Sequence, residues 1–260
     1  MFGSTKSTWK PSPPPVSRGD CGICHGTGWE LVPGAGVSRA RPCSCRILDR
    51  LIRLKDRIRI PQRYAHCTLD GYEPHNFSQI RALAEVRKIA VRYPAVDRDI
   101  FLAGGPGVGK THLAVGLVRE LMPRLSEDAL FVDFLDLSRN VGTAGALLET
   151  SPAAWEQLVH CTVLILDNFG MAPASNETRV LLQQLLEARW RLRRTTVFTG
   201  ERVRLGAFAA PQGGDSASKT QSFLVSLSPK FLLVLLARVR FLSLVGEDYR
   251  EQNTRGLPLF

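Results

Sequence analysis

At 260 residues with 44% hydrophobic content, the chain can bury one good core and a small accessory module. No apolar run approaches the roughly 18 residues of a membrane span, and the strongest, Phe231 to Ala237, reads as buried chain, so a membrane role is not expected. The formal net charge is +10, from 34 basic and 24 acidic residues. Through Arg63 there are twelve Lys/Arg against four Asp/Glu, a net of +8, which concentrates the excess in the first quarter. Such asymmetry points to a polyanionic partner, most simply nucleic acid, with a solvated basic surface as the plainer alternative.

Residues 1–18 hold Pro11, Pro13, Pro14 and Pro15 among Ser and Thr, which predicts a disordered tail. They carry no apolar segment of the signal-peptide kind, so a soluble, cytoplasmic protein is expected. A module over 19–46 follows. Its pairs Cys21-x2-Cys24 and Cys43-x-Cys45 are two short chelating turns 18 residues apart, able to deliver four thiolates to one structural Zn²⁺. His25 is a spare ligand candidate, and Trp29 is either packed or a contact for nucleic acid or a partner. Cys67 and Cys161 read as isolated core residues.

Over 47–62 a basic amphipathic linker helix is expected, ended by Pro61. Arg46, Arg50, Arg53 and Arg57 recur at helical spacing, and Ile47, Leu51, Leu54 and Ile58 follow one position on. The two stripes lie about 100° apart. This segment is either a linker packed on the main domain or a docking helix for a partner protein or a phosphate backbone.

From 63 to 260 helices and strands alternate, which predicts a parallel sheet covered on both faces. Helices are expected over Ser78–Val91, Thr111–Met122, Leu135–Thr150, Ala153–His160 and Glu177–Arg194. Strands are expected over Asp99–Ala103, Leu130–Phe134, Val163–Leu166, Thr195–Thr199 and Phe241–Val245, with a mobile loop over Gly206–Gln221.

Within this region Gly104-Gly105-Pro106-Gly107-Val108-Gly109-Lys110-Thr111 completes a GxxxxGK(S/T) phosphate loop between an apolar strand and a helix. Backbone N–H groups there can curl round triphosphate oxygens while the helix aims its positive end at them. Lys110 would neutralise phosphate charge and the Thr111 hydroxyl would ligate Mg²⁺. Asp167, at the carboxyl end of a buried strand, is the second Mg²⁺ candidate. His112 follows the loop and reads more simply as packing than as acid–base chemistry, as do Trp155 and Trp190.

GGPGVGKTHLA, LILDNFG and GEDYR together resemble the DnaC/DnaI/IstB group of AAA+ proteins, with Pro61-Gln62-Arg63-Tyr64 resembling the entry to the group's ATPase core. The resemblance implies an α/β fold: an AAA+ P-loop NTPase core with a parallel sheet flanked by helices, here preceded by the four-cysteine zinc module and the basic helix. The CxxCxGTGW module is similar to the helicase-loader branch. The group's second Walker B acid, which orients the attacking water, is replaced by Asn168, and Glu201 falls in the run that holds its polar sensor. Arg238 resembles the group's trans-acting arginine, though an ungapped placement puts Val234 there. Arg250 matches the terminal motif and is expected to sense nucleotide or a neighbouring subunit.

The resemblance implies an ATP- and Mg²⁺-binding loader of a replicative helicase, contacting single-stranded DNA or helicase as a nucleotide-dependent homo-oligomer. Lys110, Asp167, Asn168 and Arg238 are its catalytic candidates. An amide cannot take up a proton as a carboxylate does, so weak hydrolysis is expected. The alternatives are an IstB-like transposition helper on duplex DNA and a non-hydrolysing, nucleotide-gated nucleic-acid adaptor.

Overall fold

The computed structural model describes residues 21–33, 38–46, 58–95, 99–125, 128–144, 152–171, 175–202 and 219–249. The expected tail over 1–18, most of the linker helix (47–57), most of the mobile loop (206–218) and Arg250 lie outside the described residues. The chain divides into two compact units, Met1–Asp56 and Arg57–Phe260.

In the first unit, strands β1 (Trp29–Val32) and β2 (Arg39–Pro42) pair antiparallel, Trp29 opposite Pro42 and Val32 opposite Arg39. This hairpin was not expected, because four exposed residues reading Arg-Ala-Arg-Pro carry no alternating apolar signal. It holds the two cysteine turns together: Cys43 N donates to Gly28 O at 3.0 Å.

The second unit is built on a five-stranded sheet in the order β4-β5-β6-β3-β7, all pairs parallel. In chain order its elements are α1 (Phe77–Arg92), β3 (Asp99–Gly104), α2 (Lys110–Leu121), β4 (Ala129–Asp133), α3 (Phe134–Ala144) and α4 (Pro152–His160). Then come β5 (Val163–Phe169), α5 (Asn176–Arg191), β6 (Thr195–Gly200), α6 (Lys219–Val225), α7 (Pro229–Arg238) and β7 (Val239–Leu244). Asn76 caps α1 by accepting from Gln79 N, and Ser175 caps α5 by accepting from Thr178 N. β3 and β6 are buried along their whole length, as strands covered on both faces must be.

Two differences from the expected elements have local causes. The apolar stretch near Phe231 is helix α7, started by Ser228, whose side chain accepts from Phe231 N, and by Pro229 at the first helical position. The expected loop over Gly206–Gln221 is corrected at its end, since α6 begins at Lys219. There Thr220 Oγ1 donates to Phe169 O and accepts from Glu201 N, which ties the helix to two strand ends.

The core between β5, β6, α3 and α5 is rich in rings. Phe169 lies 4.9 Å from Phe134, 5.0 Å from Phe198 and 5.3 Å from Phe223, centroid to centroid. Such pairs contribute about 0.5–1.5 kcal/mol each beyond area burial. Arg189, though 0% exposed, faces no carboxylate within hydrogen-bond reach among the described residues. Its guanidinium donates to Leu158 O, Cys161 O and Thr195 O, meeting the last carbonyls of α4 with positive charge. This contact fixes α4 to the start of β5, the strand that carries Asp167.

Candidate functional site

The phosphate loop runs from the carboxyl end of β3 into α2, between neighbours β6 and β7. Its bend needs glycine at two points. Gly107 and Gly109 have φ of 62° and 92°, the left-handed region. A Cβ on Gly109 would meet the ring of Tyr72, whose hydroxyl donates to Val108 O at 3.2 Å; one on Gly107 would overlap the Asp248 side chain. Val108 is buried, pinning the loop from below. The described end of the terminal motif closes on the loop as well, with Tyr249 N donating to Gly107 O at 3.3 Å.

Lys110 Nζ donates to Gly104 O at 3.1 Å and Gly105 O at 2.5 Å. These two bonds hold the ammonium at the mouth of the loop. Thr111 Oγ1 donates to Asp167 Oδ1 at 2.7 Å, joining the residues after the loop to the end of β5. Thr199 Oγ1 donates to the same oxygen at 2.5 Å and accepts from Asn168 N at 3.1 Å. Asp167 is 0% exposed and its Oδ2 has no hydrogen-bond partner among the described residues. Burial pushes its carboxyl above the usual carboxylate range, opposed by the Thr199 and Thr111 hydroxyls, while Asp133 raises it further. A buried, unpartnered carboxylate oxygen beside a threonine hydroxyl fits a hard dication, which would offset that desolvation.

Asn168 stands at φ 56°, a conformation asparagine tolerates better than most residues, at a register shift in β5. Its Nδ2 donates to Asp133 Oδ2 at 2.8 Å. Asp133 ends β4, opposite Asp167 in register, and was not singled out from the sequence. The available signal was an apolar run, Ala129 to Val132, ending in an acid exactly as the Asp167 strand does. In the Thr199-Gly200-Glu201 run it is Thr199 whose side chain reaches Asp167, while Glu201 N bonds Thr220.

His112 Nε2 lies 2.8 Å from Thr68 O, its ring edge-on to Tyr72, and burial lowers its pKa. Arg238 closes α7 with its guanidinium 5.2 Å above Trp190. Val239 pairs with Asp99, so Arg238 sits at the amino edge of the sheet and the phosphate loop at the carboxyl edge. The guanidinium therefore lies at the opposite edge of the sheet from the phosphate loop of its own chain. Val234, the alternative, lies one turn earlier on α7. Trp155 and Trp190 pack on the core, whereas Trp29 is 46% exposed beneath the Arg46 guanidinium.

In the first unit, the sulfur atoms of Cys21, Cys24, Cys43 and Cys45 lie within 4.8 Å of one another. Cys21 and Cys43 are 3.7 Å apart and Cys24 and Cys45 3.4 Å, close to the ~3.8 Å edge of a Zn–S₄ tetrahedron built on ~2.3 Å bonds and far from a disulfide. Cys21 is drawn down to about 6, chiefly by the Cys24 backbone N–H, while Cys45 is pushed up to about 12, chiefly by its bond to the Cys24 thiol. The sulfurs share protons that a dication would displace. His66, Cys67 and His112 form a second donor group, in which His112 Nε2 already lies against the Thr68 carbonyl.

The family model for IstB-like ATP binding protein matches residues 47–222. The replicative helicase loader DnaC of Buchnera aphidicola subsp. Acyrthosiphon pisum is 26% identical over 151 residues, 56% of this chain and 60% of that protein. The replicative helicase loader DnaC of Escherichia coli K12 is 25% identical over 175 residues, 65% of this chain and 68% of that protein. Among solved structures, the DnaC helicase loader matches with a TM-score of 0.58 at 24% identity, covering 71% of this chain and 99% of that one. DnaI matches with a TM-score of 0.56 at 17% identity, covering 73% and 94%. The two structural likenesses place the parallel sheet and its helices in the AAA+ fold.

Proposed function

The chain belongs to the IstB-like ATP binding protein family, and from that membership we propose an ATP-controlled replication protein that loads a replicative helicase onto single-stranded DNA. The observation that carries the nucleotide half is the 2.7 Å contact of Thr111 with Asp167, beside an Asp167 oxygen without a partner. Thr111 Oγ1 and Asp167 Oδ2 would hold Mg²⁺, and Lys110 would exchange its two loop carbonyls for phosphate oxygens. Bound Mg²⁺ neutralises and orients the phosphates. Arg238, on the far edge of the sheet, would complete the site of a neighbouring copy, which makes assembly depend on nucleotide. Zn²⁺ on the four cysteines would fix the hairpin that carries Trp29 and the turn after it that lays Arg46 over the Trp29 ring.

The helicase half rests on the relatives named replicative helicase loader DnaC, of which this chain spans about 60% in the Buchnera protein. The basic first quarter suits a phosphate backbone, so DNA affinity should fall steeply with salt. Recovery of bound proteins with MgATP and without it, read by mass spectrometry, tests the proposal. A replicative helicase retained only with nucleotide supports it; no helicase in either arm removes it. A second reading, implied by the IstB side of the family resemblance, is a transposition helper, for which duplex DNA would bind better than single strands.

A further inference from the structure

The acid missing after Asp167 has a counterpart one strand away. Asn168 Nδ2 donates to Asp133 Oδ2 at 2.8 Å, and Leu135 N donates to Asp133 Oδ1 at 2.9 Å. A carboxylate facing the amide can only accept, so the Asn168 NH₂ must turn toward Asp133 and the Asn168 oxygen must turn away from it. Asp133 and Asp167 are register partners, separated by one strand spacing of about 4.8 Å. Thr111, Asp167, Asn168 and Asp133 therefore form a continuous polar row along the carboxyl edge of the sheet.

We propose that Asp133, acting through Asn168 across β4 and β5, positions the water that attacks bound ATP. The inference rests on the ATP reading above. A charged acceptor on Nδ2 polarises the amide and makes its oxygen a stronger acceptor for a water proton, as linked hydrogen bonds do. The water oxygen then bonds to the γ-phosphorus. The bond from phosphorus to the bridging oxygen breaks with its electron pair leaving on ADP, and the surplus water proton passes to a γ-phosphate oxygen. ATP⁴⁻ and water thus give ADP³⁻ and H₂PO₄⁻, and Asp133, which takes no proton in the step, is a positioning residue.

The test is Asp133→Asn in the full chain. Asparagine caps a helix as well as aspartate does, so α3 should start normally and the variant should melt with the wild type. Expected is a fall in kcat for MgATP of about tenfold to a hundredfold, as misplacing a reacting group produces, with KM and the affinity for a fluorescent ATP analogue unchanged. The exchange variant Asp133→Asn/Asn168→Asp should recover the rate, because it returns the acid to the other side of the same hydrogen bond. In nucleotide-free protein, Asp133→Ala should move the Asn168 side-chain amide resonances. Turnover indifferent to Asp133→Asn, or binding with turnover no higher than Lys110→Ala, overturns the inference. Failure to bind the analogue overturns the ATP reading instead, and the inference with it.

Discussion

Replacing Gly109 by alanine isolates the geometry on which the nucleotide site depends. At φ 92° an L-residue meets steric resistance of about 1–2 kcal/mol. The new Cβ would lie 2.5 Å from Tyr72 Cε2 and 2.8 Å from its hydroxyl, so the ring must shift and its hydrogen bond to Val108 O weakens. That bond contributes about 0.5–1.5 kcal/mol. Together the loss is about 1.5–3.5 kcal/mol. At roughly 2–4 °C per kcal/mol for a unit of this size, the melting temperature should fall by about 3–14 °C. Wild type saturated with MgATP at a hundred times its Kd should gain about 2.7 kcal/mol, a rise the displaced loop should not show. Thermal melts with and without MgATP measure both. In a Tyr72→Ala background the ring contribution disappears and only the dihedral part should remain. A Gly109→Ala protein that melts with the wild type and keeps its nucleotide shift would refute the reasoning.

Three other outcomes follow from the same structure. Arg189→Met should destabilise by about 3 kcal/mol or more, since it strips donors from the carbonyls of Leu158, Cys161 and Thr195, each costing about 1–3 kcal/mol when buried without a partner; calorimetric unfolding measures it, and a change below about 1 kcal/mol would show those carbonyls satisfied otherwise. Purified protein should carry one Zn²⁺ per chain by elemental analysis, lost in Cys24→Ser, and metal retained at full stoichiometry in that variant would place it elsewhere. Arg238→Ala should bind MgATP normally and hydrolyse it poorly, and mixing it with Lys110→Ala should restore turnover, because each copy supplies what the other lacks. No recovery on mixing would remove Arg238 from the neighbour's site.

Local signals made the phosphate loop and the Asp167 strand legible in advance. Eight consecutive residues specify the loop, and a run of buried aliphatics ending in an acid specifies the strand. Asp133 escaped because its meaning is set by register: it faces Asn168, 35 residues on, only once β4 and β5 are paired. Arg189 escaped for a related reason. On a helix its charge reads as solvent-facing, and only the carbonyls at the end of α4 give it a buried role. The Phe231 stretch read simply as buried chain with no element assigned, since a short apolar run does not distinguish strand from helix; as helix α7, begun by Ser228-Pro229, it buries Phe231 and Leu235 and leaves Leu233 and Val234 exposed. In the cysteine module ligand spacing was readable but the hairpin was not, since its strands are short and exposed.

Calorimetric titration of the full chain with ATP, in Mg²⁺ and in chelator, reaches the central claim most directly. One nucleotide per chain, bound more tightly with Mg²⁺ and lost in Lys110→Ala, is the predicted result. Equal binding by wild type and Lys110→Ala, or none by either, would contradict the account.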